Sequence, residues 1–367
     1  MYVIALNGSP IFGGGELGTV LLLEGLRARG HRVLMLCRDR DIAARVESYG
    51  VPADVQLVGG DAMAADALRL AARLRRERPD AVILTTFKKV LLSGLGARLG
   101  GVRPVVQRIV LEGDTPARGA RYRWAVRHLV DWVTLNAEAM RAPFLAGDPG
   151  LEPRRVVTLH DGVRTPQRTR EPGTLRRELG IPADAPVVGA VARLVRQKRL
   201  DRLVRALAAL PAHVHCVVTG EGEERDALER LAAGLGVADR LHLAGFRRDV
   251  GDVLDALDLF VVCSDREGMA NAMLEAMAFG VPVVSTRVSG ADEALEPDPD
   301  GGVPGEIVGF SADDLAAALR RLLADAAARR AMGQAGRRRV AERFSYERML
   351  DRWEALLAGR GDGATIC

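Results

Sequence analysis

Cysteine, lysine and aromatic residues are scarce in this chain of 367 residues. The four cysteines (Cys37, Cys216, Cys263, Cys367) lie far apart, without a Cys-x-x-Cys pair or zinc-binding spacing, so we expect them to be reduced. With 8 phenylalanines, 4 tyrosines, 3 tryptophans and no recognisable nucleic-acid-binding module, a nucleic-acid partner is disfavoured. No uncharged apolar run reaches the roughly 18 residues of a membrane-spanning helix, and MYVIALNGSP lacks the basic segment of a signal peptide. These absences favour a mature cytoplasmic protein.

Arginine supplies almost all of the positive charge. Of the 52 basic residues only Lys88, Lys89 and Lys198 are lysines, which suggests roles that arginine cannot fill. Residues 1–165 hold 24 basic against 17 acidic side chains, whereas the remainder holds 28 against 31. This asymmetry favours an anionic partner, either an acidic membrane surface or a phosphorylated acceptor.

Short β-branched runs alternate with longer helical patterns, which is typical of an α/β protein with parallel sheets and crossover helices. We predict strands at 2–6, 32–37, 81–85, 105–110 and 132–135, and a second series at 187–191, 214–219, 240–243, 259–263 and 282–286. A stretch rich in Pro, Gly and Arg at 165–173 separates the two series. The prediction is therefore two Rossmann-like domains, 1–166 and 167–344, facing across a cleft, with a last helix at about 345–358 packing back on the first domain. The sequence from 312 to 357 is helical in pattern apart from a break at 343–345. Ligands of such folds bind beyond the carboxyl ends of the strands.

The segment after the strand at 259–263 carries two acids and a helix start. Asn271 is a good N-cap, so we predict that the helix begins there and offers free N–H groups to an anion. Glu275, about one turn in, can accept two ribose hydroxyls, and Glu267 in the loop can meet the hydroxyls of a sugar beside the anion. Taken alone, the same pattern also fits a buried helix with two solvated acids.

Arg193 and Lys198 follow the strand at 187–191 and are expected at the same edge of the sheet. Two fixed cations and a helix N-terminus can stabilise the charge that develops on a departing diphosphate. A basic pair after a strand is otherwise most often solvated surface.

With these motifs the chain resembles the GT-B glycosyltransferases of the retaining family 4 type. The resemblance extends over nearly the whole sequence. It includes the glycine-rich loop at 13–16, the Arg193/Lys198 loop, Val218-Thr-Gly220-Glu-Gly222, Leu243-Ala-Gly245-Phe246, the Glu267/Glu275 motif with Gly280-Val-Pro282, and Met332-Gly333 followed by Phe344-Ser345.

The resemblance implies a nucleotide diphosphate-sugar as donor substrate, retention of anomeric configuration, no cofactor and no essential metal. Arg193 and Lys198 would hold the diphosphate, Glu275 the ribose and Glu267 the transferred sugar. The remaining donor contacts implied are Gly14 and Gly15 from the first domain, Gly245, Phe246 and Arg247 around the base, and backbone N–H groups of Ala270, Asn271, Ala272 and Met273, with 289–293 also expected on the cleft.

The acceptor is expected on the first domain. Many relatives carry a histidine where this chain has the segment 107–114, which contains none, so Arg108 or Glu112 takes a related place or the donor sugar differs. Lys88 and Lys89 are further acceptor-side candidates, and His160 is either catalytic or a structural residue of the turn. A lipid-linked or cell-envelope glycan is the acceptor class considered, with peripheral contact at the inner face of the membrane.

Several alternatives stay open at this stage. Gly13-x-Gly15-x-x-Gly18 matches a dinucleotide fingerprint and would suggest an NAD-dependent oxidoreductase, although six residues separate it from its strand. A sugar-nucleotide epimerase or a catalytically silent binding protein would use the same scaffold. The Asp-x-Asp patterns at 39–41 and 298–300 resemble metal-binding motifs of a different fold. The segment 122–132 suggests either an interfacial membrane patch or a partly buried helix with a charged outer face.

Overall fold

The computed structural model describes residues 1–56, 64–111 and 119–359. These form two compact units. Unit 1 comprises Met1–Asp161 together with the chain from Glu347 onward, and unit 2 comprises Gly162–Tyr346. None of the helices in the described ranges is both long enough and apolar enough to cross a bilayer.

Unit 1 contains a parallel sheet of seven strands in the order β3-β2-β1-β4-β5-β6-β7. The strands are β1 (Tyr2–Asn7), β2 (Arg32–Cys37), β3 (Ala53–Val55), β4 (Ala81–Leu84), β5 (Val105–Ile109), β6 (Trp132–Leu135) and β7 (Val156–Thr158). The helices are α1 (Gly14–Ala28), α2 (Arg40–Glu47), α3 (Ala64–Glu77), α4 (Val90–Leu99), α5 (Ala120–Leu129) and α6 (Arg141–Ala146). The strand order runs outward in one direction from β1 and in the opposite direction from β4. The loops that follow these two neighbouring strands therefore lie at the switch point of this sheet.

Unit 2 repeats the plan with six parallel strands in the order β10-β9-β8-β11-β12-β13. The strands are β8 (Val187–Val191), β9 (His215–Thr219), β10 (Leu241–Leu243), β11 (Leu259–Val262), β12 (Val283–Thr286) and β13 (Gly305–Val308). The helices are α7 (Thr174–Glu178), α8 (Leu200–Ala208), α9 (Arg225–Gly234), α10 (Val250–Asp255), α11 (Asn271–Phe279), α12 (Ser289–Leu295), α13 (Ala312–Ala324) and α14 (Ala326–Arg343), and α15 (Tyr346–Leu357) follows. The switch point of this sheet lies between β8 and β11.

The central strands are apolar on both sides because helices cover both faces of a parallel sheet. All six residues of β1 and all four of β4 and β11 are buried. The predicted parallel α/β architecture is thus confirmed in both sheets. Three strands, β3, β7 and β13, were not predicted, and each lies at an edge of its sheet.

The C-terminal helical region departs from its prediction in one respect. The sequence pattern suggested a single break at 343–345 between 312 and 357, but the helix also ends at Asp325. The Asp325 carboxylate accepts the N–H of Ala328 at 2.8 Å and so caps α14. Aspartate is a favoured helix N-cap, so Asp325 was a signal in the sequence for this second break.

Candidate functional site

The loops that follow β8 and β11 are joined at the switch point of unit 2. The Gln197 carbonyl accepts the N–H of Asp265 at 3.0 Å, and the Gln197 side chain donates to the carbonyl of Arg266 at 2.7 Å. Arg202, which is buried, donates to the Cys263 carbonyl at 2.9 Å and to Asp265 at 2.6 Å. These hydrogen bonds fix the positions of the two loops relative to each other.

Lys198 and Glu267 form an ion pair between these loops. The same oxygen of Glu267, Oε1, accepts the Ser264 hydroxyl at 2.7 Å, and Glu267 is only 8% exposed. The cation predicted at the diphosphate and the acid predicted at the sugar are thus direct partners. Lys198 fixes the orientation of the Glu267 carboxylate and neutralises it.

Arg193 is half-buried, and its guanidinium has no hydrogen-bond or ion-pair partner among the residues that the structure describes. Its loop is tied to β9 and the turn after it, since Ala192 N–H donates to Thr219 at 2.9 Å and Leu194 N–H donates to Glu221 at 2.8 Å. An arginine without a protein partner on a firmly held backbone is available to an anionic ligand.

Two glycines after β9 permit this close approach of backbones. A Cβ on Gly220 would lie 1.9 Å from the carbonyl oxygen of Ala192, and a Cβ on Gly222 would lie 2.2 Å from that of Leu194. Gly220 also has a φ of +136°, which other residues rarely adopt. Glycine at positions 220 and 222 therefore allows the backbone after β9 to pack directly against the backbone of the Arg193 loop.

The start of α11 corrects one prediction. Ala270, not Asn271, occupies the cap position, and the Asn271 side chain makes no capping hydrogen bond. Its Oδ1 atom is instead buried without a partner among the described residues. The Met273 N–H donates to the Ala270 carbonyl at 2.9 Å, while the amides of Asn271 and Ala272 have no acceptor within the first turn. These amides, with the helix dipole, are suited to an anion.

Glu275 lies one turn into α11 and makes no hydrogen bond or ion pair with any residue that the structure describes. Burial raises the pKa of its carboxyl group to about 7. Because this half-buried group has no donor among the described residues, its oxygens are not committed to another side chain. Its hydrogen-bonding capacity is available to hydroxyl groups of a ligand.

The turn after β10 presents an aromatic side chain. Phe246 is 60% exposed, and the Gly245 carbonyl before it accepts the Gly220 N–H at 2.7 Å. Arg247 donates to Asp249 at 2.6 and 3.0 Å, and this pairing raises the pKa of the Arg247 guanidinium. Phe246 is thus open to stacking, whereas the charge of Arg247 is already balanced.

In unit 1 the predicted Gly14 and Gly15 begin α1. Glu16 accepts the N–H of Gly13 at 2.9 Å, so a carboxylate already lies at the N-terminus of α1, where the dipole favours negative charge. Arg108, 4% exposed, donates to the Gly15 carbonyl at 3.0 Å and pairs with the buried Asp161. Arg108 therefore supports the glycine loop from beneath; its predicted acceptor contact stays a prediction.

The other unit 1 candidates are less constrained. Lys88 is exposed in the turn after β4, and Lys89 packs over Gly8 of the turn after β1. Glu112 lies outside the described residues. His160 is half-buried next to Asp161, and its catalytic or structural role stays a prediction.

Both Asp-x-Asp patterns have structural partners. Asp39 accepts the Ile42 N–H at 3.0 Å and caps α2, and Asp298 pairs with Arg339 at 2.6 Å. No group of three metal-ligating side chains occurs within the described ranges.

Two family models match the sequence. The model described as Glycosyl transferases group 1 matches residues 173–339, and the Glycosyltransferase Family 4 model matches residues 12–167. The chain belongs to the GT-B glycosyltransferases. One curated relative is the lipopolysaccharide core biosynthesis glycosyltransferase LpsE of Rhizobium meliloti. The two sequences are 38% identical over 185 residues, which are 50% of this chain and 53% of LpsE. The D-inositol 3-phosphate glycosyltransferase of Geodermatophilus obscurus is 37% identical over 256 residues, 65% of this chain and 55% of the relative. The chain spans about half the length of the curated relatives it matches.

Solved structures of similar fold cover almost the whole chain. The structure of Anabaena Alr3699/HepE in complex with UDP and glucose has a TM-score of 0.83 at 22% identity and covers 97% of this chain and 99% of that one. The structure of WaaG, a glycosyltransferase involved in lipopolysaccharide biosynthesis, has a TM-score of 0.74 at 20% identity, covering 98% and 100%. At these identities the likeness concerns the fold.

The sequence did not predict the residues whose hydrogen bonds connect the loops of the site. Ser264 orients Glu267, Thr286 donates to the Ser264 carbonyl at 2.8 Å, and Gly290 donates to the Gly268 carbonyl at 2.8 Å. Gly290 was covered only by the broad range 289–293. The signal for Ser264 was its place directly after a buried strand, next to the acid it orients.

Proposed function

We propose that this protein transfers a sugar from a nucleotide diphosphate-sugar to an acceptor, with retention of anomeric configuration and without a metal. Three features of the loops after β8 and β11, at the switch point of unit 2, support the proposal. These are the unpartnered guanidinium of Arg193, the Lys198–Glu267 pair, and the open amides at the start of α11.

The diphosphate is the group that these features suit. Arg193 offers planar, bidentate donors, and the Asn271 and Ala272 amides add neutral donors along the helix dipole. Lys198 brings a second cation, shared with Glu267. As the bond from the anomeric carbon to the leaving oxygen breaks, negative charge grows on the diphosphate, and these fixed donors stabilise it without reorganisation.

The donor's other parts meet complementary groups. Glu275 would accept ribose hydroxyls, since its carboxyl group has no protein donor, and the exposed Phe246 ring would stack against the base. Glu267 would accept hydroxyls of the transferred sugar. Because Glu267 is held by Lys198 and Ser264, its role is orientation and charge balance.

Retention is proposed to proceed on one face of the sugar. The acceptor oxygen forms the new bond on the side from which the diphosphate departs, and the leaving phosphate oxygen takes the acceptor's proton. No covalent enzyme intermediate is then needed, and the positive groups named above take the place of a metal ion. The two Asp-x-Asp patterns already have protein partners, which supports metal independence.

The acceptor proposed is a lipid-linked or cell-envelope glycan, with the protein at the cytoplasmic face of the membrane. The support is the similarity to LpsE and LpsD of Rhizobium meliloti, both lipopolysaccharide core biosynthesis glycosyltransferases. Lys88, exposed and unpaired among the described residues, is the acceptor-side cation that we propose.

The test is nucleoside diphosphate release and glycoside formation with UDP-, GDP-, ADP- and dTDP-sugars, after thermal-shift selection of the donor. We expect Lys198→Ala to lower kcat/KM about 100-fold, the range seen when one donor to a developing charge is removed. The control is Arg205→Ala, because Arg205 is an exposed cation of α8 outside the site. Normal kinetics for Lys198→Ala would refute the site. Epimerised sugar nucleotide without diphosphate release would indicate an epimerase.

A further inference from the structure

Helices α3, α4 and α5 form one continuous layer on unit 1. Small residues of α4 bring it close to both neighbours: a Cβ on Gly96 would lie 2.6 Å from Leu70 of α3, and a Cβ on Gly94 would lie 2.8 Å from Leu129 of α5. These contacts bring the outer sides of the three helices together. We call the solvent-facing side of residues 64–77, 90–99 and 120–129 the α3–α5 face.

Large apolar side chains are concentrated on this face. Four large hydrophobic side chains are exposed beyond a third in the described part of unit 1, and three of them lie here. They are Leu68 (60%), Trp124 (50%) and Leu99 (38%). Leu91 and Leu95, both half-buried, precede Leu99 at four-residue spacing and extend it into a ridge along α4.

The same face is strongly basic. No exposed side chain on the three helices is acidic. Asp66 of α3 is buried and pairs with Arg69 at 3.1 Å, so it faces away from solvent. Two acids outside the three helices pair with this layer: exposed Asp148 lies 3.6 Å from Arg123, and Asp54, whose side chain is 47% exposed, lies 2.7 Å from Arg73. The exposed cationic or titratable side chains of α3 and α5 are Arg69, Arg75, Arg76, Arg121, Arg123, Arg127 and His128.

We propose that the α3–α5 face binds an anionic lipid bilayer, with Trp124, Leu68 and Leu99 entering the headgroup region and the arginines contacting lipid phosphates. Tryptophan is favoured at membrane interfaces, and arginine pairs with phosphate through two parallel hydrogen bonds. The Trp124 and His128 rings are in tilted contact on the outer surface, with their centroids 5.2 Å apart. Neither membrane span nor lipid modification is needed for such binding.

Charge and apolarity together select this partner. A nucleic acid would satisfy the arginines but would leave the leucine ridge against phosphate and water. A second copy of the same face would bring two rows of arginines together, which like-charge repulsion opposes. Only a surface that is anionic outside and apolar beneath satisfies both features.

The exposed residues of this face differ from those of the segment 122–132 that the sequence alone suggested. Tyr122 is buried and Trp132 is half-buried, so of the aromatic residues at 122–132 that carried the earlier hypothesis, Trp124 and His128 are exposed. The leucines of α3 and α4 were not part of it. The proposal does not depend on the reaction, although it fits a membrane-linked acceptor.

The test is co-sedimentation of the full-length protein with vesicles of 30% phosphatidylglycerol in phosphatidylcholine, compared with pure phosphatidylcholine. We expect binding to the anionic vesicles that weakens as salt is raised. Each arginine near such a surface strengthens partitioning roughly fivefold, so Arg75→Gln/Arg76→Gln/Arg127→Gln should weaken it roughly 100-fold. The matched control removes three exposed arginines of unit 2, Arg205, Arg230 and Arg330, and should change little.

Trp124 provides a second readout. Its fluorescence should shift to the blue on vesicle binding, and the shift should vanish in Trp124→Phe while the buried Trp353 emission stays unchanged. The proposal is overturned if the protein fails to bind anionic vesicles, if both triple variants bind alike, or if the shift persists in Trp124→Phe. Binding to DNA or RNA without binding to vesicles, or dimerisation through this face, would also overturn it.

Discussion

Glu275 allows the account to be tested through stability alone. Its carboxyl group is half-buried without a partner among the described residues, and this burial raises its pKa from 4.5 to about 7. The folded state therefore binds this proton more tightly than the unfolded state. Below about pH 4.5 both states are protonated and nothing is lost; as pH rises from 4.5 to 7 the unfolded state ionises first and the folded state loses stability.

The magnitude follows from the shift. At 1.36 kcal/mol per pH unit a change from 4.5 to about 7 amounts to about 3 kcal/mol. Because the side chain is only half-buried, screening by solvent lowers the expected effect to roughly 1–3 kcal/mol. Glu275→Gln, which is neutral and nearly isosteric, should raise the free energy of unfolding of unit 2 by this amount at pH 8 and leave it nearly unchanged at pH 4.5.

Urea denaturation at pH 8, 6.5 and 4.5 measures this difference, with Glu342→Gln as the control because Glu342 is an exposed acid of α14. An equal effect of Glu275→Gln at pH 8 and pH 4.5 would refute the reasoning, since the benefit must depend on ionisation. The same variant should bind the donor more weakly, so that stability and binding change in opposite directions.

Three further predictions concern other parts of unit 2. His215 and His242 stack with their ring nitrogens 3.1 Å apart; burial lowers the pKa of both imidazoles, with nearby Arg240 and Arg176 adding to the effect on His215. The free energy of unfolding should therefore decrease as the pH falls below 6.5, because the unfolded state then takes up protons that the buried imidazoles do not. His242→Gln should reduce this decrease, which thermal melts between pH 7.5 and 5.5 measure. Gly220→Ala should destabilise unit 2 by about 2–4 kcal/mol or abolish its folding, because the added Cβ would lie 1.9 Å from the Ala192 oxygen; a wild-type urea midpoint would contradict the close approach. Full activity should remain in a chelator, and loss of activity that magnesium restores would disprove metal independence.

The sequence was sufficient for the parallel α/β plan because buried β-branched runs and helical periodicity are local signals. The same holds for the proximity of Lys198 and Glu267, since loops after neighbouring parallel strands meet at one edge of a sheet. Sequence could not predict that Lys198 and Glu267 pair with each other, because a pattern of residues does not report which side chains touch.

Other outcomes depended on tertiary packing. Asn271 has every property of an N-cap, yet Ala270 takes that position and leaves the Asn271 oxygen buried without a partner among the described residues. Arg108 was considered as an acceptor contact, but its partners Gly15 and Asp161 lie more than fifty residues away in sequence. Such contacts are set by the fold, and short-range sequence patterns carry no record of them.

The central claim is that Arg193, Lys198 and the first amides of α11 together bind a diphosphate. The most direct measurement is a crystal structure of the protein with the nucleoside diphosphate that the donor screen selects. The account predicts phosphate oxygens within about 3 Å of the Arg193 guanidinium and of the Asn271 or Ala272 amide nitrogen. A nucleotide bound elsewhere, or with its phosphates directed away from α11, would contradict it.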